Sequence, residues 1–215
     1  MERYLASLPS LHKHEMWRDV GIEPPKGVIT KEVHRGIEPK SSVNITFTGP
    51  FEWSQKNRYL FYSMLEALDI KLREVLREDK GGTYGVSASG SPSRFPRQEY
   101  DITLRWGCDP ARVDELVRDA FLQIDTLRTQ PISPVYVEKV QEIQRRSFEV
   151  NIKQNGFWLS NLRAYYTNDD NPEMIMNYPK LVDGLTAGLL EEAFKKYFNP
   201  NNYIQVVLVP EKNPK

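Results

Sequence analysis

Hydrolytic zinc needs three protein ligands and an open position for water. The histidines available are His12, His14 and His34. The run His12-Lys13-His14-Glu15-Met16 fits four of the five places of the inverted motif H-x-x-E-H. The fifth place calls for histidine, and the thioether of Met16 is a poor zinc ligand. The direct motif H-E-x-x-H fails too, because Arg18 stands where its second histidine belongs. Both motifs need a helix to align their ligands, whereas this run follows Pro9 in a stretch without helical periodicity. It reads as a surface coincidence, and no metal site is expected in this chain. Nucleophilic routes fare no better. Cys108 sits between Gly107 and Asp109, and an adjacent acid disfavours the thiolate, so it reads as a small residue at a strand end. No G-x-S-x-G elbow occurs. Gly81-Gly82-Thr83-Tyr84-Gly85 is glycine-rich but matches neither phosphate-loop pattern. It also follows a helix, whereas those loops precede one.

What remains is the junction Leu76–Val86, with Arg77 in the last turn of a helix and Tyr84, seven residues on, at the start of a strand. Arginine offers a permanently charged fork of donors to a carbonyl or carboxylate. A phenol can donate to an oxygen as it gains negative charge. The ordinary alternatives stand beside this: an arginine in a last turn complements the helix dipole, and a strand tyrosine packs against its neighbours.

The elements that would position this pair follow from periodicity. Residues 2–8 read as a helix ending before Pro9, and 9–27, with Pro24-Pro25, as a connector. Val28–Arg35 is strand-like, and Val43, Ile45 and Phe47 alternate with polar residues up to Gly49-Pro50. Phe61, Leu65, Leu68, Leu72 and Leu76 mark one face of a helix over 54–79, which Gly81-Gly82 stops. Tyr84, Val86 and Ala88 begin a hairpin that returns through Tyr100, Ile102, Leu104 and Trp106, with Ser89–Arg97 as its loop. Asp109-Pro110 and Ser133-Pro134 open two helices, the second reaching about Ile152. Further helices are predicted over Trp158–Tyr166 and after Thr186, and Tyr203–Val209 closes the chain as a buried strand. Strands early and helices late predict an α+β fold: a mainly antiparallel sheet with helices packed on one face.

The chain has 215 residues and 40% hydrophobic content, enough for one well-cored domain. Residues 1–27 would form the helix end and connector, and 28–215 the core. Lys+Arg and Asp+Glu are 29 each, so the basic excess of a nucleic-acid binder is missing. Arg145-Arg146 reads as a solvated helix face. One cysteine rules out an internal disulfide. No apolar run approaches the roughly 18 residues of a membrane span.

Taken together, these features make the chain resemble the zinc-free, second-half domain of the insulinase/pitrilysin-type peptidases, the inverzincins. Members carry an arginine near the end of this helix and a tyrosine seven residues later, and Arg77 and Tyr84 match those positions. The leucine-rich helix, the Asp109-Pro110 start, Asn155-Gly156-Phe157-Trp158-Leu159 and Lys196-Tyr197-Phe198-Asn199-Pro200-Asn201-Asn202-Tyr203 extend the likeness over nearly the whole chain.

The resemblance implies a processing-peptidase-like domain facing a homologous zinc-bearing domain across a chamber. That domain, in the same chain or in a partner subunit, carries H-x-x-E-H, whose zinc activates water. Arg77 would orient the backbone of a peptide or protein substrate, and Tyr84 would help to stabilise the tetrahedral intermediate. Alone, without metal ligands, this domain is not expected to hydrolyse peptides. The helix-like start and the tail Pro210-Glu211-Lys212-Asn213-Pro214 predict the last domain of a longer chain, and family habit points to the periplasm. Two other readings remain: a non-catalytic structural domain of the same fold, as in the core proteins of a respiratory complex, and a module that binds peptides along a sheet edge.

Overall fold

The computed structural model describes Tyr4, residues 7–9 and residues 16–211, without the side chains of Asp79 and Tyr84. Most of the helix predicted over 2–8, the His12-His14-Glu15 run and the end of the C-terminal tail lie outside the described residues.

Five strands, β1 (Val28–His34), β2 (Ser41–Pro50), β3 (Thr83–Ser93), β4 (Glu99–Cys108) and β5 (Tyr203–Val209), form one sheet in the order β1-β5-β2-β4-β3. The β2–β4, β2–β5 and β3–β4 pairs are antiparallel, and β5 runs parallel to β1. The mainly antiparallel sheet is as expected. The parallel pair is not, since it depends on a long crossover that local pattern does not encode. The α-helices of the described residues are α1 (Gln55–Leu72), between β2 and β3, and α2 (Val113–Thr129), α3 (Pro134–Asn151), α4 (Asn155–Thr167), α5 (Tyr178–Asp183) and α6 (Ala187–Tyr197), between β4 and β5.

Capping follows the local chemistry. The Ser54 hydroxyl accepts from Asn57 N at 3.1 Å, the Asp109 carboxylate from Ala111 N at 2.8 Å and the Thr186 hydroxyl from Leu189 N at 3.3 Å. Asp109 caps a short 3-10 turn, Pro110–Arg112, that leads into α2. At α3 only the proline works: Ser133 makes no side-chain cap.

The core lies between the sheet and the helices on one face. Val43, Ile45 and Phe47 of β2 are buried while Ser42, Asn44 and Thr46 between them are not. The predicted stripe Phe61, Leu65, Leu68, Leu72 and Leu76 is buried throughout. Phe61 and Tyr100 both meet Tyr197, with ring centroids 5.2 and 5.1 Å apart, and the Tyr100 hydroxyl donates to the Tyr197 carbonyl at 2.7 Å.

Three expectations need correction. Tyr203–Val209 is a strand as predicted, but of its residues only Val207 is buried and Leu208 is exposed. The loop predicted over Ser89–Arg97 is shorter, because β3 continues to Ser93. Gly90 lets it do so: a Cβ there would stand 2.5 Å from the Asp101 carbonyl oxygen and 3.0 Å from Phe61. Pro92 is tolerated because β3 is an edge strand, where one side of the ladder needs no donor. Residues 172–183, for which no element is predicted, form a 3-10 turn (Pro172–Asn177) that runs into α5. Asn171 caps it, accepting from Glu173 N at 3.0 Å.

Candidate functional site

Arg77 lies at the far end of the α1 rod, where the helix changes character. Past Leu72 the chain continues as a π-helical turn, Arg73–Asp79. Such wider turns recur at functional sites. Leu72 and Leu76, four apart, share a buried face in either helical period, so the apolar stripe does not reveal the switch. The turn ends on backbone bonds: Lys80 N to Val75 O at 3.1 Å, Gly81 N to Arg77 O at 3.1 Å and Gly82 N to Leu76 O at 3.0 Å. Gly81 has φ +55°, the left-handed stop predicted from the glycine pair.

The cations around this end are engaged, and Arg77 is not. Arg73 pairs with Asp69. Lys80 Nζ lies 3.5 Å from Glu115 and 3.3 Å from Asp119. Arg112 grips both Glu115 oxygens at 3.0 Å and donates to the Lys80 carbonyl at 3.1 Å. These hydrogen bonds hold the Glu115 carboxyl below its usual range. The start of α2 thus anchors the end of the rod. Gly82 completes the seat, since a Cβ there would come within 2.6 Å of Leu116. Arg77 itself is exposed, and its guanidinium has no hydrogen bond or ion pair among the described residues.

Tyr84 follows at the start of β3. Thr83 pairs with Cys108 and Val86 with Trp106, so Tyr84 and Gly85 together oppose the single Gly107. This is a β-bulge, which locally bends and twists the strand. The Thr83 hydroxyl braces it, donating to Gly85 O at 2.8 Å and accepting from Gly85 N at 3.2 Å. One junction of eight residues therefore joins a widened helix end, a left-handed glycine and a bulged strand, with Arg77 and the backbone of Tyr84 at its two ends.

The remaining sequence candidates are not brought to this junction as a cluster. Cys108 is buried, and burial, with Asp109 adding to it, pushes its thiol up, away from the reactive thiolate. His34 Nε2 lies 2.7 Å from a Glu32 oxygen on its own strand. Arg145 is on a solvated face, paired with Asp183 at 2.9 Å. Among the described residues no three His, Cys, Asp or Glu side chains are grouped so as to hold a metal ion, so no step can be assigned to a metal held by them. No helix of the described residues is long and apolar enough to cross a membrane.

Residues 1–144 match the family described as the peptidase M16 inactive domain. The chain belongs to that family. Its M16 relatives include the probable zinc protease PqqL of Haemophilus influenzae, 26% identical over 196 residues that cover 91% of this chain and 21% of the relative. The M16 domain thus spans about a fifth of that relative's length. Solved structures share the fold. The ferredoxin protease FusC, in complex with Arabidopsis ferredoxin, superimposes with a TM-score of 0.80 at 20% identity, over 98% of this chain and 23% of FusC. The periplasmic protease PqqL of Escherichia coli gives a TM-score of 0.73 at 22% identity, over 85% of this chain and 20% of that one.

Sequence reading missed three features of this M16 domain: the π turn, the Arg112–Glu115–Lys80 tether, and a cluster at the opposite end of α1. There Arg58 Nη2 lies 2.8 Å from Asp170, which also accepts from Trp53 Nε1 at 3.2 Å. Trp53 and Asp170 are 117 positions apart, and no local signal joins residues at that separation.

Proposed function

We propose that this chain is the auxiliary, substrate-holding domain of a zinc metalloendopeptidase. Its active site would be shared with a homologous domain that carries H-x-x-E-H and the zinc, in the same chain or in a partner subunit. Arg77 directs its donors at a carbonyl of the substrate backbone, and Tyr84 donates to the scissile carbonyl oxygen as it becomes an oxyanion. The observation that carries this reading is the bare guanidinium of Arg77. The cations beside it, Arg73, Lys80 and Arg112, are committed to carboxylates or carbonyls, while Arg77 keeps its donors for something outside the described residues. The π turn and the bulge support it, as departures from regular geometry at the two residues that need to be aimed. The periplasmic protease of Escherichia coli named above supports a periplasmic setting for the whole protein.

The test is made in the full-length protein. Arg77→Ala and Tyr84→Phe should each lower kcat/KM by roughly 10²-fold, the scale of one lost oxyanion donor, with an unchanged circular dichroism spectrum. Losses below about threefold for both would overturn the assigned roles. That result would leave the chain as a non-catalytic structural domain, a reading equally compatible with the family's description as inactive.

A further inference from the structure

The first turns of α1 border a cavity that the Arg77 junction does not use. It measures about 520 Å³ and lies between α1, α3, α4 and the segment leading into α5. Helix α4 has no buried residue, yet Phe157, Asn161, Ala164 and Tyr165 on one helical face, with Asn168 at its C-cap, all line the space. The helix bridges a void where it would ordinarily pack. From Arg58 to Arg77 the rod runs about 28 Å at the α-helical rise, so cavity and junction are separate.

The lining has a definite chemistry. Its walls are aromatic, with Trp53, Tyr59, Phe148, Tyr165 and Tyr178 among them. Between the rings stand amides, including Asn151 and Asn161. Asn161 donates its Nδ2 to the Phe157 carbonyl at 2.8 Å, which leaves its Oδ1 as an acceptor. Arg58 is the one charged residue of the lining, and its side chain is 14% exposed. Its guanidinium carbon lies 4.3 Å from the Trp53 ring centroid and 5.4 Å from that of Tyr165. Its counter-ion Asp170 does not line the cavity and is shared with Trp53 Nε1 and, at 3.9 Å, with Arg94. The cavity therefore presents flat rings and a guanidinium already oriented by two of them.

We propose that this cavity is a binding site for an aromatic ring that carries a carboxylate. The ring stacks among the aromatic walls, where offset and edge contacts add to simple burial. The carboxylate takes guanidinium donors of Arg58, a charge-assisted pairing stronger than a neutral one. A cationic ligand meets like charge, and a wholly apolar one takes none of the guanidinium donors that the Asp170 pair leaves over. The volume suits a small ligand or a single residue. Two sources share this chemistry: a free aromatic acid, and the C-terminal aromatic residue of a peptide.

Calorimetry on this chain tests the proposal, with N-acetyl-phenylalanine, its amide N-acetyl-phenylalaninamide, and a pentapeptide ending in phenylalanine with a free carboxyl group. The acid should bind with a sub-millimolar Kd and the amide about 10-fold more weakly or worse. Arg58→Met, which removes the charge and the donors, should erase that difference while leaving the amide unchanged. Ala164→Trp, on the exposed helix α4, should fill the space and abolish binding of both without disturbing the core, so the test stands even if Arg58 proves necessary for folding. Binding of the pentapeptide as tight as that of the acid identifies the source as a peptide C-terminus, and binding of the acid alone identifies a free aromatic acid. Equal affinity for acid and amide, no binding of the acid at about 5 mM, or binding untouched by Ala164→Trp would overturn the proposal.

Discussion

The two ends of the α1 rod are built from opposite materials. At the Trp53 end, rings and amides face one another: Tyr59 meets Tyr178 edge to face at 5.7 Å, and Arg58 lies over Trp53. At the Arg77 end, the backbone closes on itself through Lys80, Gly81 and Gly82, and ion pairs with α2 do the anchoring. Trp53, Arg58 and Tyr178 at the first end are only partly buried and border the cavity, while Tyr59, Leu60 and Phe61 beside them are buried. The second end rests on the buried Leu72, Leu76 and Leu116 and leaves Arg77 exposed, its guanidinium unpaired among the described residues. The difference teaches where to expect damage from substitution: loss of stability where a ring is fully buried, as at Phe61, and little change in stability at the exposed Arg77.

Four measurements can break or sharpen that contrast. Phe61→Ala, in the first turns of the rod, should cost about 3–5 kcal/mol by urea unfolding, because Phe61 is fully buried against Phe51, Tyr100 and Tyr197. Gln144→Leu should cost about 1–3 kcal/mol. The Gln144 side chain accepts from the Tyr59 hydroxyl at 2.9 Å and donates to Ser63 and Glu66 at 3.0 and 2.9 Å, so leucine strands a buried phenol.

A smaller effect is expected at Glu66, and it depends on pH. Burial pushes the Glu66 carboxyl above its usual range and Asp69 adds to the rise, against the N–H of Gln144 that opposes it. With the folded pKa above the unfolded one, folding favours the protonated acid. That contribution is fully present below the unfolded pKa and is lost as pH rises through the folded pKa. Glu66→Gln should therefore leave the urea midpoint unchanged near about pH 4 and raise it near about pH 8, on either side of the shifted titration. A midpoint raised equally at both would contradict the assignment. Smallest of all, Arg77→Ala should change stability by no more than about 0.5 kcal/mol. A loss above about 1 kcal/mol would make Arg77 part of the scaffold and would end the contrast between the two ends.

Much of this was legible because it is local. The stripe from Phe61 to Leu76, the caps at Asp109 and Thr186 and the stop at Gly81 each depend on residues a few positions apart, whose chemistry acts within one turn. The same holds for the seven-residue spacing of Arg77 and Tyr84, which the chain carries whatever surrounds it. The tertiary structure decided the rest. The length of β3 was settled by Gly90 lying against Asp101 and Phe61, and the widened turn beneath Arg77 by a packing that an apolar repeat does not distinguish from an ordinary helix. The placing of β5 between β1 and β2, and of Asp170 against Arg58 and Trp53, required contacts between residues more than a hundred positions apart. A side chain's neighbours along the chain follow from its covalent geometry. Its neighbours across the core follow only from how all the elements fill one volume together.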